Sequence, residues 1–199
     1  MTALASALAY ADRTWPVFPC RPDKRPLVKD WPHAASRDPA QIEAWWQEWS
    51  RALIGCPTGL SNTFVVLDID IKDPSRYGFD TLAELGFAIL PDVPMTHTAS
   101  RGLHLYFQCP AEGLRNTAGS RGRGIGAGVD WRGIGGYVIL PSPTSGYRWD
   151  PCCNFDTRSL AAVPPALLPR EPERPTVVRP ARPAIGLSPY AEAALDSDR

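Results

Sequence analysis

The sequence predicts a mixed α/β (α+β) domain built on a largely antiparallel sheet. Three observations carry this. Apolar residues recur at helical spacing near residues 2–13 and 38–49, and short strand-like segments fill much of residues 53–149. The composition, 44% hydrophobic and 21% charged, is that of an ordinary globular protein able to bury a core. A chain of 199 residues suffices for one medium domain with a tail.

The elements follow in order. Residues 2–13 read as a helix, with Leu4, Ala7, Leu8 and Ala11 on one face and Thr2 as its cap. A short strand, WPVFPC, comes next, then a proline- and charge-rich loop over residues 21–37. Asp38-Pro39 opens a second helix, because aspartate caps well and proline suits the first helical position. Ile42, Trp45, Trp46 and Trp49 form its apolar stripe, which predicts core packing rather than base stacking. LIGCPTG leads into FVVLDIDI, in which five of eight residues are β-branched or aromatic. A helix around residues 78–85 ends at Gly86. MTHTA and LHLYFQC read as strands, and GVDWRG and GGYVILP as two strands joined by a glycine turn in hairpin fashion. YRWD adds a short last strand.

Residues 164–183 hold seven prolines, which excludes a helix or central strand and predicts an extended linker. The sequence therefore divides into a domain over residues 1–160 and a proline-rich tail over residues 161–199. The closing SPYAEAALDSDR looks like the first turns of a helix, and the chain is expected to be a piece of a longer protein.

Lys+Arg (21) equals Asp+Glu (21), which argues against a uniformly basic nucleic-acid coat but allows a local basic groove. Five irregularly spaced cysteines, with no CxxC pair, do not suggest zinc; adjacent Cys152 and Cys153 read as ordinary thiols. The start lacks a basic n-region, and no apolar run approaches a membrane span, so a cytoplasmic setting is expected.

The chemistry concentrates in three segments. Strand alternation puts Asp68 and Asp70 on one side, roughly 6.5–7 Å apart, with Val65, Leu67, Ile69 and Ile71 opposite. Two acids on an otherwise apolar strand need neutralising, and a hard divalent cation does so; a strand end reaching solvent is the other reading. In SRGLHLYF, His104 and Tyr106 oppose Leu103, Leu105 and Phe107, while Ser100 and Gly102 sit in a turn whose N–H groups can approach an anion. In GVDWRG, Asp130 and Arg132 share a face against Val129 and Trp131. If these faces coincide, three carboxylates, a histidine and an arginine form one site suited to two-metal phosphoryl transfer.

The order DxD, SxGxH and GVDWRGIGGYVILPSPTSGY, with KRPLVKDW and GCPTGLSNTFVVLDID upstream, resembles the bifunctional primase-polymerase family of the archaeo-eukaryotic primase superfamily. The resemblance covers nearly all of residues 5–150. It implies an N-terminal α/β unit packed on a unit like an RNA-recognition motif, with the active cleft between them. It implies metal ligation by Asp68, Asp70 and Asp130, using two Mg²⁺ or Mn²⁺ ions and no zinc. It further implies that Ser100, Gly102 and His104 contact the phosphates of an incoming nucleotide, His104 completing the catalytic set without serving as a base. Arg132 and Lys24 are the remaining candidates for the nucleotide. The implied partners are a DNA template and primer, (d)NTPs, and a helicase on the C-terminal side. The implied setting is plasmid, phage or mobile-element replication.

Other positions stay open. Lys24, Arg25 and Lys29 either reach nucleotide or template or are surface charge. Arg115, Arg121 and Arg123 lie in a glycine-rich segment that either closes over template phosphates or is a mobile surface loop. Thr58-Gly59 shapes the nucleotide pocket or is a plain turn, and His33 and His97 carry no constellation. Two competing functions are a non-catalytic nucleic-acid or nucleotide-binding module and a metal-dependent nuclease.

Overall fold

The computed structural model describes residues 1–71, 77–117 and 125–169. The expectations for Arg121, Arg123 and the tail beyond residue 169 lie outside the described residues.

Helix α1 (Ala3–Asp12) starts at Thr2, whose hydroxyl accepts from the Ala5 N–H at 3.1 Å. Helix α3 (Pro39–Glu48) starts at Asp38, whose carboxylate accepts from the Ala40 N–H. Both capping residues satisfy a backbone donor that the helix itself leaves unpaired. Between them lie β1 (Phe18–Cys20) and a single turn, α2 (Trp31–Ala34), inside the loop expected to be irregular. Then come β2 (Leu53–Pro57), β3 (Phe64–Ile69), α4 (Gly78–Glu84), β4 (Met95–His97), β5 (Leu103–Gln108), β6 (Val129–Arg132), β7 (Tyr137–Leu140) and β8 (Arg148–Trp149).

The strands form two sheets, one in the order β1-β2-β7 and one in the order β6-β3-β5-β4-β8, and every strand pair is antiparallel. The hairpin expected from the GVDWRG and GGYVILP segments does not form. β6 pairs with β3 in the larger sheet and β7 with β2 in the smaller, so Gly133–Gly136 carries the chain between sheets. This segment is held from both sides. Ile134 N–H donates to Leu114 O, and the Thr58 hydroxyl donates to Gly133 O at 2.8 Å. Gly133 has to be glycine because a Cβ there would stand 2.0 Å from Leu114 O.

Three packed clusters hold the domain. Ile42 and Trp46 of α3 and Ala7 and Tyr10 of α1 bury against Ile54, Val138 and Leu140 of the small sheet and Phe64, Val66 and Tyr106 of the large one. The tryptophan stripe of α3 is thus core, as its spacing predicts. The other face of the large sheet, Val65, Leu67, Ile69, Leu105, Phe107, Val129 and Trp131, packs under Leu82 of α4. A smaller cluster of Phe18, Cys20, Leu53, Ile139 and Tyr147 covers the outer side of β1, β2 and β7. The chain stays on this body past residue 160. Gln108 N–H donates to Ala161 O, and Leu167 is fully buried, its carbonyl accepting from Trp131 Nε1 at 2.7 Å. All five cysteines are free thiols. No described helix is long and apolar enough to cross a membrane.

Candidate active site

Asp68 stands at the centre of a polar row across the large sheet. Its register partners are His104 on β5 and Asp130 on β6, and His104 faces Thr96 on β4. Alternation then puts Asp68, His104, Asp130 and Arg132 on one face, the face whose other end is packed by Val66 and Tyr106. The four residues come from three segments far apart in sequence.

Arg132 places two donors on one oxygen of Asp68, Nη2 at 2.7 Å and Nε at 3.1 Å from Oδ2. His104 Nε2 stands 3.5 Å from the other oxygen, an ion-pair distance rather than a close hydrogen bond. Burial by itself pushes the Asp68 carboxyl up. His104 and the Arg132 guanidinium outweigh it and hold the group well below its ordinary value of 3.8, so Asp68 is ionised at neutral pH. His104 is 4% exposed, and its Nδ1 is buried with no hydrogen-bond partner among the described residues.

Asp130 is oriented by Thr117, whose hydroxyl donates to Oδ1 at 3.2 Å while accepting from the Trp131 N–H at 2.8 Å. Asp70 follows the last residue of β3. Its backbone is held by bonds to Gly128 O (2.7 Å) and from Gly78 N–H (2.9 Å). The oxygen donors of Asp68 and Asp130, opposed on neighbouring strands, suit a hard divalent cation in kind. Among the described residues, however, no three His, Cys, Asp or Glu side chains are grouped so as to hold a metal ion.

A cleft of about 240 Å³ opens above Asp68, His104 and Arg132, between the two sheets; Asp130, on the same sheet face, is not among the residues lining it. Asp68, His104 and Arg132 form one wall; Gly135, Gly136, Tyr137 and Ile139 form the other. Lys24 closes one side. Tyr137 Oη donates to the Lys24 carbonyl at 2.9 Å, and Lys24 Nζ lies 5.4 Å from the centre of the Tyr147 ring, within cation–π range. Arg25 and Lys29 are exposed and do not line the cleft, and neither does Arg115. Thr58-Gly59 acts indirectly, since Thr58 ties β2 to the Gly133–Gly136 segment that forms the cleft wall. His33 pairs with Asp30 and His97 with Asp150, both outside the row.

Ser100 and Gly102 lie in the turn between β4 and β5, where Thr98 N–H donates to Gly102 O at 2.9 Å and Arg101 takes a positive φ of 69°. They are not among the residues lining the cleft. Because Ile69 pairs with Leu103, this turn sits beside the end of β3, next to Asp70. The structure supplies a packing reason for the glycine: a Cβ at Gly102 would stand 2.2 Å from Ile69 O. Gly102→Ala is therefore expected to lower stability by about 1–3 kcal/mol in the absence of any ligand, as overpacking against backbone does. Urea denaturation measures this. Unchanged stability with weakened nucleotide binding would instead show that the glycine serves the ligand.

Asn116 and Tyr147 line the cleft although the sequence did not single them out. Asn116 Oδ1 is buried without a partner among the described residues, and a Cβ at Gly136 would come within 2.6 Å of it. The one sequence signal was the Gly135-Gly136 pair, in which the missing side chain of Gly136 leaves that room.

The profile of the family described as bifunctional DNA primase/polymerase, N-terminal (Prim-Pol), matches residues 7–171. The chain belongs to this family. The match spans every cleft residue from Lys24 to Tyr147 and runs over the packed segment around Leu167. A comparison with curated proteins found no match. Membership makes this prim-pol domain a nucleotidyltransferase of the DNA primase/polymerase type in general, with DNA and nucleotides as its substrates.

Proposed function

We propose that this prim-pol domain extends or starts a strand on a nucleic-acid template, taking (d)NTPs into the cleft between the two sheets. The observation that carries the reading is the direct register of Asp68 with Asp130 on one side and His104 on the other, with Arg132 on the same face. In the reaction the primer 3′-hydroxyl oxygen bonds to the α-phosphorus and gives up its proton to solvent, the bond from that phosphorus to the bridging oxygen breaks, and pyrophosphate leaves. Arg132 and Lys24 hold the triphosphate by charge, Arg132 through its planar fork. His104 contacts a phosphate oxygen, and Ser100 and Gly102 offer backbone donors beside Asp70. Two Mg²⁺ or Mn²⁺ ions held by Asp68, Asp70 and Asp130 would supply charge neutralisation at the attacked phosphate and acidify the hydroxyl. Asp130 is kept in place for this by Thr117.

On this reading the small sheet with α1 and α3 is the N-terminal unit, and the large sheet is the unit like an RNA-recognition motif. A helicase on the C-terminal side, a cytoplasmic setting and replication of plasmid, phage or mobile-element DNA belong to the same proposal.

The test is a template-dependent assay with each nucleotide type, with and without primer. Incorporation that stops in excess chelator is expected; synthesis that persists there overturns the two-metal scheme. One observation favours a second reading. Asp68 is already ion-paired with Arg132, as it would be in a module that binds nucleic acid without turnover. Template binding with no incorporation under any nucleotide or metal condition would select that reading.

A further inference from the structure

We propose that Arg132 is a removable counter-ion for Asp68, so that divalent-cation binding and triphosphate binding depend on each other. This rests on the nucleotidyltransferase reading of the cleft and adds to it the order in which charges are exchanged there.

Asp68 Oδ2 accepts from both Nε and Nη2 of Arg132. A carboxylate oxygen offers two lone pairs, and here both are engaged by N–H donors. A cation ligated by the same oxygen would also meet the guanidinium charge at close range. Arg132 and a cation therefore exclude one another at this atom. The opposing acid is different: Asp130 is held by the neutral hydroxyl of Thr117, which does not compete with a cation. His104 faces the other Asp68 oxygen, Oδ1, at 3.5 Å, so at Oδ2 the exchange turns on Arg132.

Arg132 is placed to move. It ends β6, its side chain is 33% exposed at the cleft, and its backbone neighbour Trp131 stays locked on the opposite face. The Gly133–Gly136 segment that follows carries no side chain beyond Ile134 to block it. A triphosphate in the cleft supplies the matching new partner, since the guanidinium fork fits phosphate oxygens as well as it fits a carboxylate. Leaving Asp68 for the triphosphate uncovers the carboxylate for the cation. By linkage, whatever one ligand gains from the other is returned in the same measure. Lys24, which closes one side of the cleft, makes no ion pair with Asp68 and so is not the group that a cation would displace.

The test titrates Mn²⁺ into the full chain without nucleotide and follows the free-ion signal by electron paramagnetic resonance. Arg132→Gln is expected to bind Mn²⁺ more tightly than the unmodified protein, by about 5- to 150-fold, the usual span of such couplings. In an Asp68→Asn background the same substitution should leave Mn²⁺ affinity unchanged, which isolates the pair. Circular dichroism checks folding. If Arg132→Gln does not fold, Arg132→Lys carries the comparison, because a single ammonium cannot fill both lone pairs. Equal or weaker Mn²⁺ binding by the folded variant, with the parent binding well, overturns the exchange and leaves the metal reading standing. No Mn²⁺ binding by either overturns both.

Discussion

Asp130→Ala is expected to cut template-directed incorporation by about 10³-fold or more while leaving the fold intact. A ligand to a catalytic cation contributes several kcal/mol of charge stabilisation in the transition state, and each ~1.4 kcal/mol is tenfold in rate. The structural cost of the change is small by comparison. Asp130 is half-buried on the sheet face that carries Asp68, and the Thr117 hydroxyl donates to it at 3.2 Å. Losing one neutral donor to a carboxylate near solvent costs about 1 kcal/mol. Thr117 also keeps its bond from the Trp131 N–H. Primer-extension rates on the purified variant, beside its thermal melt, give the check. Extension at the parent rate by a folded Asp130→Ala protein would remove this residue from the reaction. Loss of incorporation with template binding retained would separate catalysis from strand binding.

Trp131→Ala is expected to be the most damaging single change to stability, at about 3–5 kcal/mol. Trp131 is fully buried beneath the cleft, one residue from Asp130 and one from Arg132. Its ring meets Phe107 edge to face, with centroids 5.7 Å apart, and its Nε1 holds the Leu167 carbonyl. The substitution leaves a large cavity in the second core and an unpaired buried carbonyl. It also removes one tie to the segment after residue 160, which Gln108 N–H still holds at Ala161 O. Denaturant unfolding measures the loss. A cost below about 1 kcal/mol would mean that Leu167 and α4 collapse readily into the space. Since β6 carries both Asp130 and Arg132, activity should fall with stability in this variant, whereas in Asp130→Ala the two should part.

Period-two alternation was enough to show that Asp68, His104, Asp130 and Arg132 each oppose an apolar face, because that pattern is local and the apolar partners must be buried. The helix starts at Thr2 and Asp38 were equally legible, since capping involves residues two or three apart. The connection after β6 was not. GVDWRG, a glycine turn and GGYVILP satisfy the local signature of a hairpin, yet each strand finds its edge on a different partner. Lys24 could be named from its motif. Its reach into the cleft, with Arg25 and Lys29 left outside, depends on Tyr137, more than a hundred residues away, gripping the Lys24 carbonyl. The tail boundary was read from proline content at residue 160; residues 161–168 lie on the body through the Gln108 N–H bond to Ala161 O, the burial of Leu167 and the carbonyl that Trp131 holds.

By itself the sequence determined which residues are apolar, which strands carry an acid or a histidine, and the order of motifs that marks a prim-pol domain. Only the tertiary structure decided that Asp130 and His104 flank Asp68 in register, that Arg132 occupies one of its oxygens, and that the cleft lies between two sheets rather than on one. The physical reason is that side-chain facing follows from backbone period within a few residues, whereas strand pairing is chosen by competition among all the edges the whole chain presents.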